Sequence, residues 1–407
     1  MTPRRRWRTS GRVLFAALAA AGLGVPAGVS LIDTEADDPG RFSIILWVGW
    51  VLCAVLGAVV LIHAMSKVIS APSAGLALAY DALPILLVGA WIVVAPALIT
   101  RHWLLGGVAG SLCLYHLHLI TPRFRAVPTP RWVEGAPTFR LCVANVYVDN
   151  PTPDEAARAV IDTDAEVLIL VESTPAFVRH FDNAPGADRY RFRVADPGDT
   201  SDYAVTIASR IELAEGSGPE HHGELRVMRA VVPIESPGGR TTVTIFGINP
   251  MATVDVGGYR TWRSQLRRLR RTLAGVRGPL VIAGDLNTSR FRPEFAGLLD
   301  LGLRDVHDTL GKGLQPSFKL SNRGWLSALG PVARLDHALT NRPLHPVEIE
   351  DLEAHGSDHL PFVVTIAVHA GSQGPAAPQP GTAPPGTEPP DSEPPQDRPL
   401  SHAGGPR

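Results

Sequence analysis

Seven polar residues stand at the ends of apolar runs, or just inside them, in the C-terminal two-thirds of the chain. Asn145 closes LCVAN, Glu172 follows LILV, and Asp285 and Asn287 come directly after LVIAG. Asp336 lies inside ARLDHALT, and Asp358 with His359 precedes FVVTIAV. Carboxylates do not settle against an apolar core unless they are paired, hydrogen-bonded or metal-bound. Their recurrence at run ends therefore marks a site at one rim of a sheet. Oxygen ligands without cysteine select a hard cation, Mg²⁺ or Mn²⁺. A histidine beside such a cluster is a candidate acid, base or phosphate contact. Of the three cysteines, Cys53 and Cys113 fall in apolar stretches and Cys142 stands alone, which excludes a disulfide scaffold and zinc-type spacing.

The elements that must hold these residues are short, β-branched runs bounded by Gly, Pro or polar residues. They predict strands over Phe139–Val146, Ala165–Val171, Tyr203–Ser209, Leu225–Pro233, Thr241–Asn249, Pro279–Gly284, Leu335–Thr340 and Phe362–Val368. Helical periodicity covers Pro153–Ile161 and Tyr259–Ala274. Adjacent strands mixed with a few helices predict an α/β fold built as a layered sandwich with mixed sheets, not a strictly alternating doubly wound one.

The segments VANV, LILVES, IAGDLN, ARLDHAL and HGSDHLP occur in an order and approximate spacing that resembles the endonuclease/exonuclease/phosphatase superfamily. The match extends over nearly the whole polar part of the chain, and five motifs in order are far more specific than GDLN or SDH alone. The resemblance implies a deoxyribonuclease-like α/β sandwich of two mixed sheets and a Mg²⁺- or Mn²⁺-dependent phosphoric ester hydrolase. It implies that Glu172 binds the metal, with Asn145 on the metal and phosphate side and Asp358 as a further metal or water ligand. Asp285 would orient or deprotonate the attacking water, Asn287 would hold a phosphate oxygen, and His359 would contact the scissile phosphate, steadied by Asp336. One position departs from the pattern. Where many relatives carry Thr-His-Pro or Thr-His-Leu, this chain reads Ile248-Asn249-Pro250. Asn249 can donate a hydrogen bond to phosphate but cannot pass on a proton at neutral pH.

The 407 residues are 45% hydrophobic and 19% charged, with a formal net charge of −1, which argues against a general electrostatic nucleic-acid binder. The hydrophobic residues are densest in residues 1–130, where the apolar segments Val13–Ile32, Phe42–Ala64, Leu83–Ile99 and Trp103–Ile120 read as a transmembrane region of three or four helices. The first also reads as a signal peptide, with Arg4, Arg5, Arg6 and Arg8 before it. Residues 131–137 form a linker, 138–369 the catalytic domain, and 370–407 a Pro-rich tail with the composition of a disordered segment. The arginines place the N-terminus in the cytoplasm, and four spans would return the chain there. Membrane-anchored relatives display the domain outside, which would require one segment, such as Leu83–Ile99 with Asp81 at its edge, not to cross; the lean is outward.

Several residues have duller readings. His63, His116 and His118 read as helix-packing residues, and His221 with His222 as solvated loop residues. The arginines at 260, 263, 267, 268, 270 and 271 read as the outer face of a core-packed helix rather than a lipid or nucleic-acid surface. The expectation is a membrane-anchored, metal-dependent phosphoesterase in contact with membrane lipids, its substrate a phosphate ester of a lipid-linked or envelope molecule. The alternatives are a nuclease, or a weakened member that binds phosphate or lipid without turnover.

Overall fold

A computed structural model describes residues 39–65, 74–196, 203–222, 225–236, 239–253, 255–320 and 330–370, and these belong to one compact unit. The apolar stretch Val13–Ile32 and the Pro-rich tail from Gly371 onward lie outside the described residues.

The chain begins with α1 (Pro39–Met65), followed by α2 (Ala74–Asp81), α3 (Leu83–Leu86), α4 (Val88–Ile99) and α5 (Trp103–Ile120). Two helices, spanning Ile44–Met65 and Trp103–Phe124, are long and apolar enough to cross a membrane. The expected segment Leu83–Ile99 is not one straight helix: it is broken at Leu87, where Pro84 stands in the preceding turn. Together with α2 it forms a pair bent by 70°, long and apolar enough for a third span only if the pair counts as one. Pro96 sits inside α4, where it withholds a backbone donor. His63 meets the Tyr115 hydroxyl at 2.7 Å, and His116 accepts from the Trp91 indole at 3.0 Å, so these two intrahelical histidines pack and bond as expected.

Two six-stranded sheets follow. The first contains β1 (Thr138–Asn145), β2 (Val167–Val171), β3 (Phe192–Ala195), β4 (Val205–Ser209) and, from the far end of the chain, β13 (Leu344–Asp351) and β14 (Phe362–Val368), in the order β13-β14-β1-β2-β4-β3. The second contains β5 (Gly218–His222), β6 (Leu225–Ser236), β7 (Gly239–Ile248), β8 (Leu280–Asp285), β9 (Arg304–Asp305) and β12 (Asp336–Thr340), in the order β5-β6-β7-β8-β12-β9. A short ribbon pairs β10 (Phe318–Lys319) with β11 (Pro331–Ala333). Each large sheet is mixed, with one parallel pair at its centre: β1 beside β2, and β7 beside β8.

Both faces of each sheet are covered, which is why the central strands read as nearly unbroken apolar runs. Leu141, Val143 and Ile169 of one sheet meet Ile245, Val281 and Ala283 of the other in the inner core. On the outer faces, α6 (Pro153–Asp162) and α7 (Pro175–Asn183) cover Cys142, Ala144 and Leu170. Helices α8 (Val256–Gly275) and α9 (Pro293–Leu299) cover Val227, Phe246 and Ile282, and α2 joins that same cluster through Ala74, Ala77 and Tyr80. Helix α8 starts where Asp255 accepts from the Gly258 N–H at 2.7 Å, an N-cap that satisfies an otherwise orphaned donor. It buries Tyr259, Trp262, Leu266, Leu269 and Leu273 and turns most of its arginines outward, as its periodicity predicts.

The structure corrects one sequence reading and adds a strand that the sequence reading did not contain. His221 and His222 belong to edge strand β5, paired with β6, not to a loop; a Gly-Pro-Glu-His-His strand lacks the apolar alternation by which strands are recognised. The stretch LHPVEIED is also a strand, β13, whose register shifts between Pro346 and Glu348, and its proline and acidic residues suit an edge position.

Gly284 has φ +139°, and a Cβ there would drive into the Ile248 carbonyl oxygen of the neighbouring parallel strand. Only glycine lets β8 pass so close to β7 immediately before Asp285. Gly284→Ala is expected to destabilise the protein by about 2–4 kcal/mol, from strain plus backbone displacement. Chemical denaturation read by tryptophan fluorescence checks it, and an unchanged midpoint would contradict this account.

Candidate active site

Strand register brings the seven polar residues to one rim. Asn145 pairs with Val171 across the parallel β1–β2 ladder, so Glu172 emerges beside it. Ile248 pairs with Gly284 across β7–β8, so Asn249 and Asp285 leave adjacent strands together. Asp285 lies directly opposite Asp336 across the antiparallel β8–β12 pair. Asp358 and His359 arrive just before β14, which pairs with β1.

The side chains interlock. The Asn145 amide donates to Glu172 Oε1 at 2.9 Å and to Asp285 Oδ2 at 3.2 Å, while its own oxygen accepts from the Tyr147 N–H at 3.0 Å. Glu172, at a left-handed φ of 58°, also accepts from the Val148 N–H at 2.9 Å. Asp285 accepts from the Asn287 N–H at 2.8 Å, and the Asn287 side chain donates to the Pro250 carbonyl at 3.0 Å. His359 Nδ1 lies 2.7 Å from Asp336 Oδ2, and its Nε2 lies 3.6 Å from Asp285 Oδ2. Asp285, Asp336 and His359 offer ligand atoms within 4.8 Å of one another. Glu172 and Asp358 stand outside that tightest group, with Glu172 linked to it through Asn145.

Three residues that sequence reasoning did not assign complete the frame. The Ser317 hydroxyl, fully buried, donates to Asp336 at 2.6 Å and accepts from the Leu335 and Asp336 N–H groups. Ser357, present in HGSDHLP, donates to the Asn145 carbonyl at 2.8 Å and accepts from the His359 N–H at 3.1 Å. The Phe318 ring lies 5.1 Å from the His359 ring, held by a bridge between the two backbones. Ser317 and Phe318 lie in an irregular stretch with no periodicity, so no sequence signal pointed to them.

Electrostatics follow from burial. Desolvation raises the Asp285 carboxyl well above its ordinary value, against the opposing pull of His359. Burial likewise raises Glu172 and Asp358. Burial alone would favour neutral His359, but Asp336 and Asp285 outweigh it and push the imidazole up to about 10. Asp336 is lifted by burial and pulled lower still by His359 and the Ser317 hydrogen bond, and ends below the usual carboxylate range. At neutral pH the ring is therefore a cation with one N–H committed to Asp336.

The donor set suits a hard divalent cation. Carboxylate and amide oxygens dominate, and the single imidazolium does not offset the acidic groups around it. Both polar atoms of the Asn249 amide are buried without a hydrogen-bond partner among the described residues, as is Asp336 Oδ1. A buried amide left unpaired costs about 1–3 kcal/mol, so Asn249 is suited to an external group such as a phosphate oxygen.

Two stacked mixed sheets with such a rim site define the deoxyribonuclease-like class of α/β sandwich. The chain belongs to the Endonuclease/Exonuclease/phosphatase family, whose model matches residues 142–359. Members of this family generally hydrolyse phosphoester bonds and commonly use divalent metals. Among solved structures, the chain is similar to a D. rerio TDP2 humanised by 14 mutations: 17% identity, TM-score 0.45, over 57% of this chain and 99% of that one. It is similar to an endonuclease/exonuclease/phosphatase from Beutenbergia cavernae at 17% identity and TM-score 0.42, over 57% and 72% of the two chains. Sphingomyelinase C from Streptomyces griseocarneus gives 16% identity and TM-score 0.41 over 56% and 99%. No protein of curated function matches the sequence.

Because burial raises the Glu172 and Asp358 carboxyls, a divalent cation binding there would compete with protons for them. Affinity for Mn²⁺ is expected to rise as the pH is raised through the titration of these carboxyls, above the ordinary carboxylate range, by up to roughly tenfold per unit for each proton released. Calorimetry in buffers of differing ionisation enthalpy reads both quantities; pH-independent affinity without proton release would contradict the placement.

Proposed function

We propose that this protein is a membrane-anchored, divalent-metal-dependent phosphoesterase whose substrate is the phosphate ester of a lipid-linked or envelope molecule. The observation that carries the hydrolase reading is the Asp336–His359–Asp285 arrangement beside the unpartnered Asn249 amide. Anchoring is supported by two long apolar helices that leave Ile44 and Trp47 of the first and Trp103 and Leu114 of the second exposed.

In this reading Glu172, Asn145 and Asp358 hold the cation, which when bound supplies positive charge to offset that building on the nonbridging oxygens. His359 donates from Nε2 to a nonbridging oxygen while Asp336 fixes its ring through Nδ1. Asn249 and Asn287 offer further amide donors to the phosphate. Asp285, bearing a raised carboxyl, accepts a proton from the attacking water as the new P–O bond forms. The bond to the leaving oxygen breaks in line, and that oxygen takes its proton from solvent because Asn249 has none to give. A general acid contributes about 10²–10⁴-fold, so the site favours esters whose leaving groups need little protonation.

The test is hydrolysis of bis-p-nitrophenyl phosphate by the full-length protein with Mn²⁺. Metal-dependent turnover is expected, lost on chelation and reduced at least about 10²-fold in Glu172→Ala and in His359→Ala. Metal binding without turnover would favour the binding-only alternative. A second prediction concerns pH. The imidazolium is held protonated by Asp336, so activity is expected to fall on the alkaline side as that proton is lost. Removing the counter-charge in Asp336→Asn lowers the imidazole pKa and moves this fall toward neutrality. An unmoved alkaline limb would remove His359 from its role as phosphate donor.

A further inference from the structure

The segment from Asp285 to Arg292 leaves β8, carries Asp285 and Asn287 at its start, and enters α9 at Pro293. Its first half is held by the sandwich. The Leu286 N–H donates to the Leu335 carbonyl at 3.0 Å, the Leu286 carbonyl accepts from the Trp262 indole at 2.9 Å, and the Thr288 carbonyl lies 3.1 Å from His337 Nε2.

Its second half is held by the apolar helical region. Asp81, the last residue of α2, accepts from the Ser289 N–H at 2.8 Å and from Arg292 Nε at 2.8 Å, and its other oxygen meets Arg292 Nη2. The Phe291 carbonyl lies 2.8 Å from His63 Nε2 of α1, and the Phe291 side chain packs on the helical core. Asp81 and Arg292 are both buried. Arg292 reaches further: Nη2 donates to the Thr253 hydroxyl at 2.9 Å, and the guanidinium lies 4.9 Å from the Trp262 ring centre. Thr253 lies in the stretch that follows Asn249. One ion pair thus ties together the loop bearing Asn249 and the loop bearing Asp285 and Asn287.

We infer that Asp81 is a positioning residue: through Ser289 and Arg292 it sets the two catalytic loops, so that turnover requires the helical region packed on the sandwich. The helices are then a working part of the hydrolase as well as its anchor. This rests on the phosphoesterase reading for its kinetic consequence, but the hold on the loop is a separate physical statement. A buried guanidinium that loses its carboxylate must rearrange or draw in water. Displacement of reacting groups by about 1 Å costs on the order of 10²-fold in rate.

The experiment uses full-length protein carrying Asp81→Ala or Asp81→Asn, and Arg123→Ala as a control at the same seam, where Arg123 pairs with Asp308 at 3.0 Å. With bis-p-nitrophenyl phosphate and Mn²⁺, Asp81→Ala is expected to lower kcat about 10- to 100-fold with KM changed by less than about threefold. Asp81→Asn, which keeps an acceptor for the Ser289 N–H, falls between it and wild type, and Arg123→Ala stays within about twofold of wild type. Hydrogen exchange across 286–292 accelerates in Asp81→Ala. Wild-type kcat in a folded Asp81→Ala protein, or unchanged exchange in that segment, overturns the inference. Should Asp81→Ala fail to fold, the pair Asp81→Leu with Arg292→Met removes both buried charges. A folded pair with low kcat supports the role, and one with wild-type kcat overturns it. If wild type hydrolyses no phosphoester while exchange still responds to Asp81→Ala, the proposed function falls and the hold of the helical region on the loop stands.

Discussion

Negative charge at the sandwich rim must be answered locally, because a medium of low dielectric magnifies both attraction and the penalty for an unpaired ion. Asp285 and Asp336 are buried opposite one another across β8 and β12, with Glu172 and Asp358 close behind. One protonated imidazole lies between the first two, and amide and hydroxyl donors from Asn145, Ser317 and backbone N–H groups occupy much of the remaining acceptor capacity. What they leave is a surplus of acidic oxygen and an unpartnered Asn249 amide. An isolated sandwich would gain nothing in stability from that surplus. The proposed function gives it a use, since a site that accepts a cation and a phosphate together would need it.

The same constraint explains the placement of the second buried ion pair. Arg292 lies seven residues beyond Asp285, buried under Trp262, and a guanidinium cannot shed its charge to suit its surroundings. Its carboxylate comes from α2, which the hydrophobic pattern assigns to the apolar region and the packing assigns to the outer layer of the second sheet. Ala74, Ala77 and Tyr80 are covered by the same cluster that contains Trp262 and Phe295. Helical region and sandwich therefore share a core as well as an ion pair, and the boundary between them, read from composition, is not a boundary in packing.

How much of this was legible in the sequence depends on whether the signal was local. Strands that are apolar on both faces announced themselves, and the polar residues at their ends marked the rim without any knowledge of pairing. Their convergence follows from register: once β1 and β2, and β7 and β8, run parallel, residues that end neighbouring runs must lie side by side. Edge strands β5 and β13 were illegible because each is protected by polar or proline-bearing sequence instead of alternation. Ser317 was illegible for a different reason. Its role is to stabilise one oxygen of Asp336 from an irregular stretch, and nothing in its neighbours implies the contact. Asp81 looked like a polar blemish beside an apolar segment; its partner lies 211 positions away, beyond the reach of any local pattern.

Asn249 ties the electrostatic and chemical arguments together. A histidine at the end of β7 would bring a second titratable ring next to Asp285 and close to an imidazole already held as a cation by two carboxylates. Like charges a few ångströms apart in a dry site cannot both persist, so such a ring would be driven toward neutrality and would divide the surplus charge with His359. The amide removes that competition and leaves His359 the sole imidazole on the Asp336–Asp285 axis, which keeps it protonated over a wide pH range. What is given up is a proton for the leaving oxygen. What is retained is a buried, neutral amide in a stretch tied down by the Arg292–Thr253 contact and by the Pro250–Asn287 hydrogen bond. In the proposed hydrolase, a site arranged in this way would stabilise the phosphate more than it assists departure, which would place the burden of specificity on the leaving group.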